Sequence, residues 1–522
     1  MMKKGQRMMK RRFLAAVCAV MLVVSGTACS HSGGKNGTDA APLRFMVNYF
    51  DYSKYDYETG KMTLESSGSA IYCTGETVEA YPALAAELEK EAALSEKYAK
   101  EFAGDQDEMT LESDKGSVYG IYSQREYSVV KRADEKVVSI ESEFYTYAGG
   151  AHPMIGYDTR NIDPVTGKEI KLADVVKDQK KLNELLLARL RKNYPDATFV
   201  DDENLFAEYD MNVTASDLGA AAYTFTLDPD GICFYFSLYD LGTYADGVQT
   251  VKLLYRDTPE LFVKDYVVSG GYVSGIVETG WYDLGGDGTL DEIVCYGNED
   301  EFNQAYESVY VKKNEKGLKT DLYSYHMDTF LMHTEDNRDY LYVIAHMDND
   351  ASALYIYDLC QETPKLVAET GYGLSYDGWE DRNLYGYELI TDSDDFALTF
   401  RCDLLASFNA YFDTSVGPDG TPVLPEDGFY SVPDYIGTLQ SAKAFKADIV
   451  DESGKVVQEN AEIPAGETFK LLRTDGMTVV DAKLSDGRIA RLELTRSDDN
   501  YTATVNGQIS EEEAFKELLY AG

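Results

Sequence analysis

Apolar residues recur at helical spacing in two segments of the first half of the chain. The first segment starts at Pro82, since proline is favoured at the first position of a helix, and we expect it to end at Gly104. The second runs from about Gln179 to Asn193. The leucines predicted to face inward there are Leu182, Leu185, Leu186 and Leu190.

Other segments carry the period of two that is typical of strands, and residues 126–147 predict paired strands. Their apolar face holds Val138, Ile140 and Phe144. Their polar face holds Ser139, Glu141 and Glu143. Further on, two apolar runs flank Asp228-Pro229-Asp230-Gly231, a turn sequence that predicts a hairpin. We therefore expect an α+β domain over residues 42–262, with an antiparallel sheet and helices.

Residues 271–437 show a different pattern of short strands rich in Tyr, Val and Ile, separated by Asp, Asn and Gly. The clearest strands predicted there are Ile293–Tyr296, Ser308–Val311, Tyr340–Ala345 and Leu354–Tyr357. Successive hairpins of this kind are typical of a mainly-β, propeller-like region. Residues 441–522 predict a small β-barrel-like domain, with strands around 469–473, 478–484 and 488–494 and a C-terminal helix after Ser510.

The first 28 residues have the order of an export signal rather than of a membrane span. A basic head precedes an apolar core from Phe13 to Val24, and small residues lead to Cys29. The core is too short for a hydrocarbon layer about 30 Å thick. The segment resembles a lipoprotein signal, which implies that Cys29 is lipidated, for example with palmitate. Gly26 departs from the usual Leu or Val, so an ordinary cleaved signal stays open. Residues 29–41, rich in Gly and Ser, predict a flexible tether.

The charge balance is strongly acidic. The formal net charge is −43, and removal of residues 1–28, which hold six basic and no acidic side chains, takes it to about −49. A field of this sign argues against nucleic acid as a partner and favours cations and basic proteins, although a solubility coat explains the same charge. The chain has 41 Tyr against 2 Trp, and tyrosine suits half-exposed sheet faces that contact proteins or glycans.

The cysteines beyond the signal are far apart and include no CxxC pair, so we expect buried, reduced thiols rather than a zinc or redox site. They are Cys73, Cys233, Cys295, Cys360 and Cys402.

Four sequence blocks between residues 144 and 247 carry a family resemblance. They are Phe144-Tyr145-Thr146-Tyr147-Ala148-Gly149-Gly150-Ala151-His152, then Asn161-Ile162-Asp163, then Thr166-Gly167-Lys168-Glu169-Ile170-Lys171-Leu172-Ala173-Asp174, then Asp230 to Phe236 with Tyr239, Tyr244 and Gly247. Together they resemble the RsiV-like domain family, over roughly residues 42–262. That family is a domain of unknown function found in lysozyme-binding anti-sigma factors, in peptidoglycan deacetylases and in bacterial lipoproteins.

The resemblance implies a binding module, outside the membrane, that contacts lysozyme or a cell-wall component. Electrostatic complementarity to a basic protein such as lysozyme would come from the acid excess. The deacetylases of this family carry a separate metal-dependent catalytic domain, and this chain has no such motif among its five histidines. Control of a sigma factor is not expected either, because only a short basic segment precedes the apolar core.

His152 is the first candidate binding residue, because it follows Gly149-Gly150-Ala151 in a predicted loop. One reading makes it a ligand or general base. The reading that we favour is a histidine that fixes the loop, since no companion His, Cys or nucleophile is close in sequence.

The best metal signal is Asp283 to Ile293. Calcium prefers several oxygen ligands on a sharply turning loop, and Asp283, Asp287, Asp291 and the weaker ligand Glu292 supply them around Gly288. Gly285 stands where a third side-chain ligand is expected, so an acidic turn without metal stays open.

Other catalytic or metal patterns are weak. His326, His333 and His346 have spacings that match no compact ligand motif. The chain has no Walker loop, no nucleophile elbow and no dinucleotide fingerprint.

The signal-like segment and the RsiV-like resemblance together imply a non-catalytic lipoprotein on the outer face of the cell membrane of a Gram-positive bacterium, anchored through Cys29. Its expected partners are lysozyme, another basic protein, or peptidoglycan. The alternatives are a cell-envelope enzyme or accessory subunit that acts on peptidoglycan, and a structural role in wall assembly or adhesion.

Overall fold

The computed structural model describes residues 42–520, with gaps at 59, 61, 114–120, 215–220, 269, 300–304, 349–350, 380–383, 497–502 and 519. The predicted signal, Cys29 and the tether lie outside the described residues. The described part belongs to one unit, residues 41–522, and is mostly β-sheet with few helices. Within these ranges, no helix is both long enough and apolar enough to cross a bilayer.

Six strands and two helices open the fold. They are β1 (Phe45–Asp51), β2 (Lys54–Tyr55), β3 (Met62–Cys73), α1 (Gly75–Ala80), α2 (Pro82–Ser113), β4 (Tyr122–Ala133), β5 (Val138–Tyr147) and β6 (Met154–Ile162). Helix α2 begins at Pro82 as predicted, but it continues through Gly104 to Ser113, because Phe102 and Ala103 pack against the sheet and hold the helix past the glycine. Strands β3 and β4 are parallel, and α2 lies in the long crossover that this pairing requires.

Two helices and a three-stranded sheet follow. They are α3 (Leu172–Val175), α4 (Gln179–Asn193), β7 (Thr224–Leu227), β8 (Gly231–Phe236) and β9 (Gln249–Leu254). Helix α4 has the predicted bounds, although Leu187 is buried and Leu185 only half-buried. The predicted hairpin is confirmed, since Leu227 pairs with Ile232 across the turn.

The central region consists of successive antiparallel strands, as predicted. They are β10 (Tyr272–Gly275), β11 (Thr279–Tyr282), β12 (Asp291–Glu299), β13 (Tyr306–Lys313), β14 (Lys316–Ser324), β15 (His326–His333), β16 (Asp339–His346), β17 (Ser352–Asp358) and β18 (Lys365–Thr370). They form a sheet of order β10-β15-β16-β17-β18 and another of order β11-β12-β13-β14. Buried residues of both sheets, such as Val309 and Val343, share one hydrophobic core.

The last part is almost wholly strands. They are β19 (Gly373–Leu374), β20 (Tyr376–Trp379), β21 (Leu384–Glu388), β22 (Phe396–Asp403), β23 (Ser407–Thr414), β24 (Tyr430–Ser431), β25 (Thr438–Gln440), β26 (Phe445–Val450), β27 (Val456–Ile463), β28 (Thr468–Thr474), β29 (Val479–Leu484), β30 (Ile489–Arg496), β31 (Ala503–Val505) and β32 (Ile509–Ser510), followed by α5 (Glu511–Ala514). No closed barrel is present in the described part of this region. Ser431 in β24 pairs with Arg473 in β28, so the C-terminal strands extend a sheet that begins at β19 instead of closing on themselves.

Long-range pairing joins the segments that the sequence separates. Strands β20 and β21 enter the first sheet, whose order is β20-β21-β1-β3-β4-β5-β6, with β2 on β3. Val47 in β1 is the register partner of Tyr387 in β21. The sheet that starts at β19 likewise runs from residue 373 to residue 510.

Both faces of the first sheet are covered, and this positions the candidate site. One face packs on α2, with Leu84 and Leu88 against Val138 and Ile140. The opposite face meets β7, where Asn161 Nδ2 donates to the Phe225 carbonyl at 2.7 Å. Ser139 and Glu141, predicted on the polar face, are therefore buried as well.

Four of the five cysteines, namely Cys73, Cys233, Cys295 and Cys402, are buried and free as expected. Cys360 is free but exposed.

Candidate functional site

His152 lies on the surface, in the loop after β5. Gly149 and Gly150 permit this loop through φ angles of 82° and 111°. The His152 ring stacks on Tyr244, with ring centroids 4.2 Å apart, and Tyr239 lies 6.0 Å from Tyr244. Three residues of the family-like blocks thus form one aromatic cluster, in which stacking holds the His152 loop in place.

The acidic loop between β11 and β12 is organised by a basic side chain. Asp283 is buried, and its Oδ1 accepts the Gly288 N–H at 2.7 Å while its Oδ2 lies 3.0 Å from Arg256 Nη1. The same guanidinium donates to the Gly286 carbonyl. Arg256 is therefore an ion-pair partner of Asp283, the first residue of the predicted calcium loop.

The remaining acids of the predicted calcium set also have protein partners. Asp291 accepts a hydrogen bond from Asn314 at 2.6 Å, Glu292 lies 3.5 Å from Lys312 Nζ, and Asp287 accepts the Thr289 N–H at 2.7 Å. Among the described side chains, no group of three or more His, Cys, Asp or Glu is arranged to hold a metal ion.

The three central histidines separate into two places. His333 Nδ1 lies 2.7 Å from Asp339 Oδ1. His326 and His346 are register partners on β15 and β16, and both approach Asp328, with nitrogen-to-oxygen distances of 3.7 and 2.8 Å. Burial alone would raise the pKa of Asp328, but the hydrogen bond with His346 and the proximity of the His326 ring hold that pKa well below its usual range.

A carboxyl group between two tyrosines is the most unusual feature of the β4–β6 surface. We define the acid–tyrosine patch as Tyr127 on β4, Glu143 on β5, Tyr157 on β6 and Glu278 in the turn between β10 and β11. Tyr127 and Tyr157 are the direct register partners of Glu143 on its two sides. Directly paired side chains on neighbouring strands are in contact range, so the two rings flank the carboxyl group.

Glu143 is half-buried, and no side chain among the described residues bonds to its carboxyl group. Burial, followed by the charges of Glu278 and Glu141, raises the pKa of Glu143 to about 7 against a smaller opposing effect of Arg125. Burial and the charge of Glu143 also raise the pKa of Tyr157. At neutral pH the patch therefore holds a carboxyl group near its midpoint of titration between uncharged phenols.

The carboxylate directly below the patch is neutralised. Glu141 is buried, and its Oε2 accepts the Tyr235 hydroxyl at 2.9 Å and lies 3.4 Å from Lys131 Nζ. Lys131 in turn donates to the Tyr282 hydroxyl at 2.9 Å. Glu143 lies two residues further along the same face of β5 and has no such partner among the described residues. Of these two glutamates, the one without a counter-ion is therefore the one nearer the surface.

Arg125 on β4 is a basic side chain close to the acid–tyrosine patch, but it contacts other residues. The Arg125 guanidinium lies 4.7 Å from the centroid of the Tyr145 ring and 3.6 Å from Glu65. The rim of the patch is thus a further tyrosine and an ion pair, which adds to the aromatic, hydroxyl-rich character of this face.

Sequence reasoning placed Glu141 and Glu143 on one polar face but did not identify the patch. The signal was the pair of glutamates two residues apart in a strand. Its significance depends on the β4-β5-β6 register and on the approach of Glu278, which is remote in sequence.

Comparison with known families identifies part of this region. Residues 173–256 match the family described as Protein of unknown function (DUF3298). Tyr235 and Tyr244 lie within the matched segment.

Two similar solved structures also come from that family. One is a DUF3298 member from Bacteroides fragilis NCTC 9343, 20% identical, covering 44% of this chain and 96% of that chain at a TM-score of 0.31. The other is a DUF3298 protein from Pseudomonas aeruginosa PAO1, 16% identical, covering 44% of this chain and 99% of that chain at a TM-score of 0.29. No curated protein matches the chain. The similarity to the DUF3298 family is thus shown for residues 173–256 of this chain.

Proposed function

We propose that this chain is a non-catalytic binding protein of the cell envelope, which holds lysozyme or another basic protein at the acid–tyrosine patch. The observation that carries the proposal is Glu143, a half-buried carboxyl group to which no side chain of the described ranges bonds, flanked by Tyr127 and Tyr157. An uncompensated, desolvated acid is costly to a fold, and such groups are concentrated at functional sites.

The overall charge supports a basic partner. A chain with a formal net charge of −43 attracts a cationic protein from a distance and speeds its association at low salt. Tyrosine is among the side chains that contribute most to protein interfaces, because a large ring is immobilised at small entropic cost. The patch offers both features on rigid strands.

The proposal includes an RsiV-like character for residues 42–262 and an exported location. Cys29 would carry the lipid that anchors the protein to the outer face of the cell membrane, with residues 30–41 as the tether. The order of basic head, apolar core and small residues before Cys29 supports this part. Mass analysis of the mature N-terminus tests it, since a diacylated or triacylated Cys29 is expected and an unmodified N-terminus downstream of residue 28 would contradict the anchor.

A second candidate function is an envelope enzyme that acts on peptidoglycan. The observation that favours it is the pKa of Glu143, raised to about 7 by burial and by Glu278, because glycosidases use a carboxyl group of this kind as a proton donor beside a second carboxylate. Release of soluble muropeptides by the wild type but not by the Glu143→Gln variant would favour the enzyme over the binding protein.

Retention on immobilised partners tests the main proposal. The full chain is applied to lysozyme and, in parallel, to purified peptidoglycan, at low and at high salt. We expect retention on lysozyme at low salt and weaker retention at high salt, because screening reduces the attraction between opposite charges. Failure to bind either material at any salt concentration would contradict the proposed function.

A further inference from the structure

The acid–tyrosine patch contains two carboxyl groups and lacks a bonded base among the described residues. Each nearby basic side chain already has other partners. Lys131 contacts Glu141, Tyr282 and the Gly275 carbonyl. Arg125 contacts Glu65 and the Tyr145 ring. Among the described residues, the patch therefore has no basic side chain bonded to its carboxyl groups.

The groups around Glu143 are side chains from four strands and one turn, together with one backbone carbonyl. They are Arg125 and Tyr127 of β4, Glu141 of β5, Tyr157 of β6, Tyr235 of β8, Lys131 of β4 beneath Glu141, the β10 carbonyl of Gly275 bound by that lysine, and Glu278. The phenols stay neutral near pH 7, since burial raises the pKa of Tyr127 and of Tyr157. With its pKa raised to about 7, Glu143 changes its charge between pH 6 and 8.

From this arrangement we infer that the patch captures a single cationic side chain, a lysine ammonium or an arginine guanidinium, of a basic protein partner, and that Glu143 releases its proton to solvent when the cation binds. This inference rests on the proposed function and specifies the chemistry of the same site. An ammonium group beside Glu143 is stabilised by attraction to the Glu143 carboxylate, to the nearby charge of Glu278 and to the adjacent tyrosine rings.

A proton-linked site has a defined pH profile. The competent state is the ionised carboxylate, so the apparent dissociation constant rises as that fraction falls. With a Glu143 pKa of about 7, affinity is expected to weaken by up to about tenfold for each pH unit below 7 and to level off above 8. Binding of the cation in turn lowers the pKa of Glu143, which is the reciprocal effect.

The experiment measures the dissociation constant of the full chain for lysozyme from pH 5 to pH 8.5 at constant ionic strength. The test variant is Glu143→Gln. The matched control is Glu459→Gln, which removes the same charge from an exposed position on β27. We expect the affinity of the wild type and of the control for lysozyme to fall steeply as the pH is lowered. The Glu143→Gln variant should bind lysozyme at least about tenfold more weakly at pH 8, and its affinity should hardly change with pH.

Chemically altered lysozyme identifies the cationic group. Acetylated lysozyme has lost its lysine charges, whereas guanidinated lysozyme keeps them. We expect binding of the guanidinated form with the wild-type pH profile, and weak, flat binding of the acetylated form if lysine is the captured group.

The results separate this inference from the proposed function. Retention of lysozyme with the same pH profile in wild type and Glu143→Gln would overturn the inference and leave the binding function standing. Absence of lysozyme binding at every pH would remove the function itself. Proton-linked binding of de-N-acetylated peptidoglycan fragments, without binding of lysozyme, would overturn the assignment to a protein partner.

Discussion

Lys252 in β9 lies 2.8 Å from the carboxylate of Asp228, a residue of the hairpin turn between β7 and β8. The same ammonium lies 2.6 Å from Asp230 and donates to the Trp281 carbonyl. Burial alone would raise the pKa of Asp228, but the charges of Lys252 and Lys131 hold that pKa below its usual range. A single buried lysine thus ties the hairpin turn to β11.

The variant Lys252→Met is expected to destabilise the protein by about 3–5 kcal/mol, because the buried Asp228 and the half-buried Asp230 both lose the ammonium group that contacts them. Chemical unfolding at pH 7 measures the loss. Lys483→Met makes the same chemical change at an exposed position of β29 and is expected to cost less than about 0.5 kcal/mol. Equal losses of stability from the two substitutions would mean that the ion pairs of Lys252 do not stabilise the fold.

Glu143 is expected to make stability depend on pH near neutrality. Its folded-state pKa of about 7 lies above the unfolded value, so the folded protein binds more protons and loses stability as the pH rises from about 5 to 7. The free energy of unfolding of the Glu143→Gln variant should therefore exceed that of the wild type by about 1–2 kcal/mol at pH 8 and equal it at pH 5. Thermal melts at both pH values measure this difference, and a variant that is less stable than the wild type at pH 8 would show that the carboxylate is compensated.

Arg256 is expected to serve as the cation of the loop between β11 and β12. The variant Arg256→Ala leaves the buried Asp283 with the Gly288 N–H alone, which should cost about 1–3 kcal/mol. Arg488→Ala, which breaks an exposed ion pair with Asp486, should cost less than about 1 kcal/mol. Wild-type melting is expected to be the same with calcium and with chelator, and a chelator-sensitive shift would support the calcium hypothesis for this loop.

Asp328 should stabilise the protein above about pH 4. Its pKa is lowered in the fold, so its contribution is present above the unfolded value and is lost as the pH falls towards the folded one. The variant Asp328→Asn is expected to lose about 1–3 kcal/mol at pH 7, because the hydrogen bonds with Tyr49 and His346 lose their ionised acceptor.

The stability loss caused by Asp328→Asn should become smaller below pH 4. The control Asp413→Asn, on the exposed side of β23, should show neither a loss at pH 7 nor a dependence on pH. A loss from Asp328→Asn that is constant from pH 3 to pH 7 would indicate steric damage instead of charge.

Sequence alone was sufficient where local signals agree. Helix α4 has the predicted bounds, since Asp178 caps its N-terminus by accepting the Lys181 N–H and the leucine spacing selects a buried stripe. The hairpin around Asp228 to Gly231 also forms as predicted, because its turn chemistry and flanking apolar runs act within a few residues.

Contacts between remote segments could not be predicted in this way. Val47 pairs with Tyr387, and no local pattern indicates that β21 lies beside β1. The C-terminal strands were expected to form a separate barrel, but β24 pairs with β28 and extends one sheet. Alternation along β5 placed Glu141 and Glu143 together correctly, yet whether that face meets solvent or protein depends on β7 to β11. The calcium pattern failed to indicate Arg256 and Lys312 for the same reason.

Zero-length cross-linking tests the central claim most directly. A carbodiimide joins a carboxyl group to an amine only when the two are in contact, so the full chain is treated with the reagent in the presence of lysozyme and the linked peptides are identified by mass spectrometry. The account predicts that Glu143 or Glu278 is joined to a lysine of lysozyme, and that Glu143→Gln reduces these links while Glu459→Gln does not. Cross-links confined to acids outside the acid–tyrosine patch, with both variants behaving as the wild type, would contradict it.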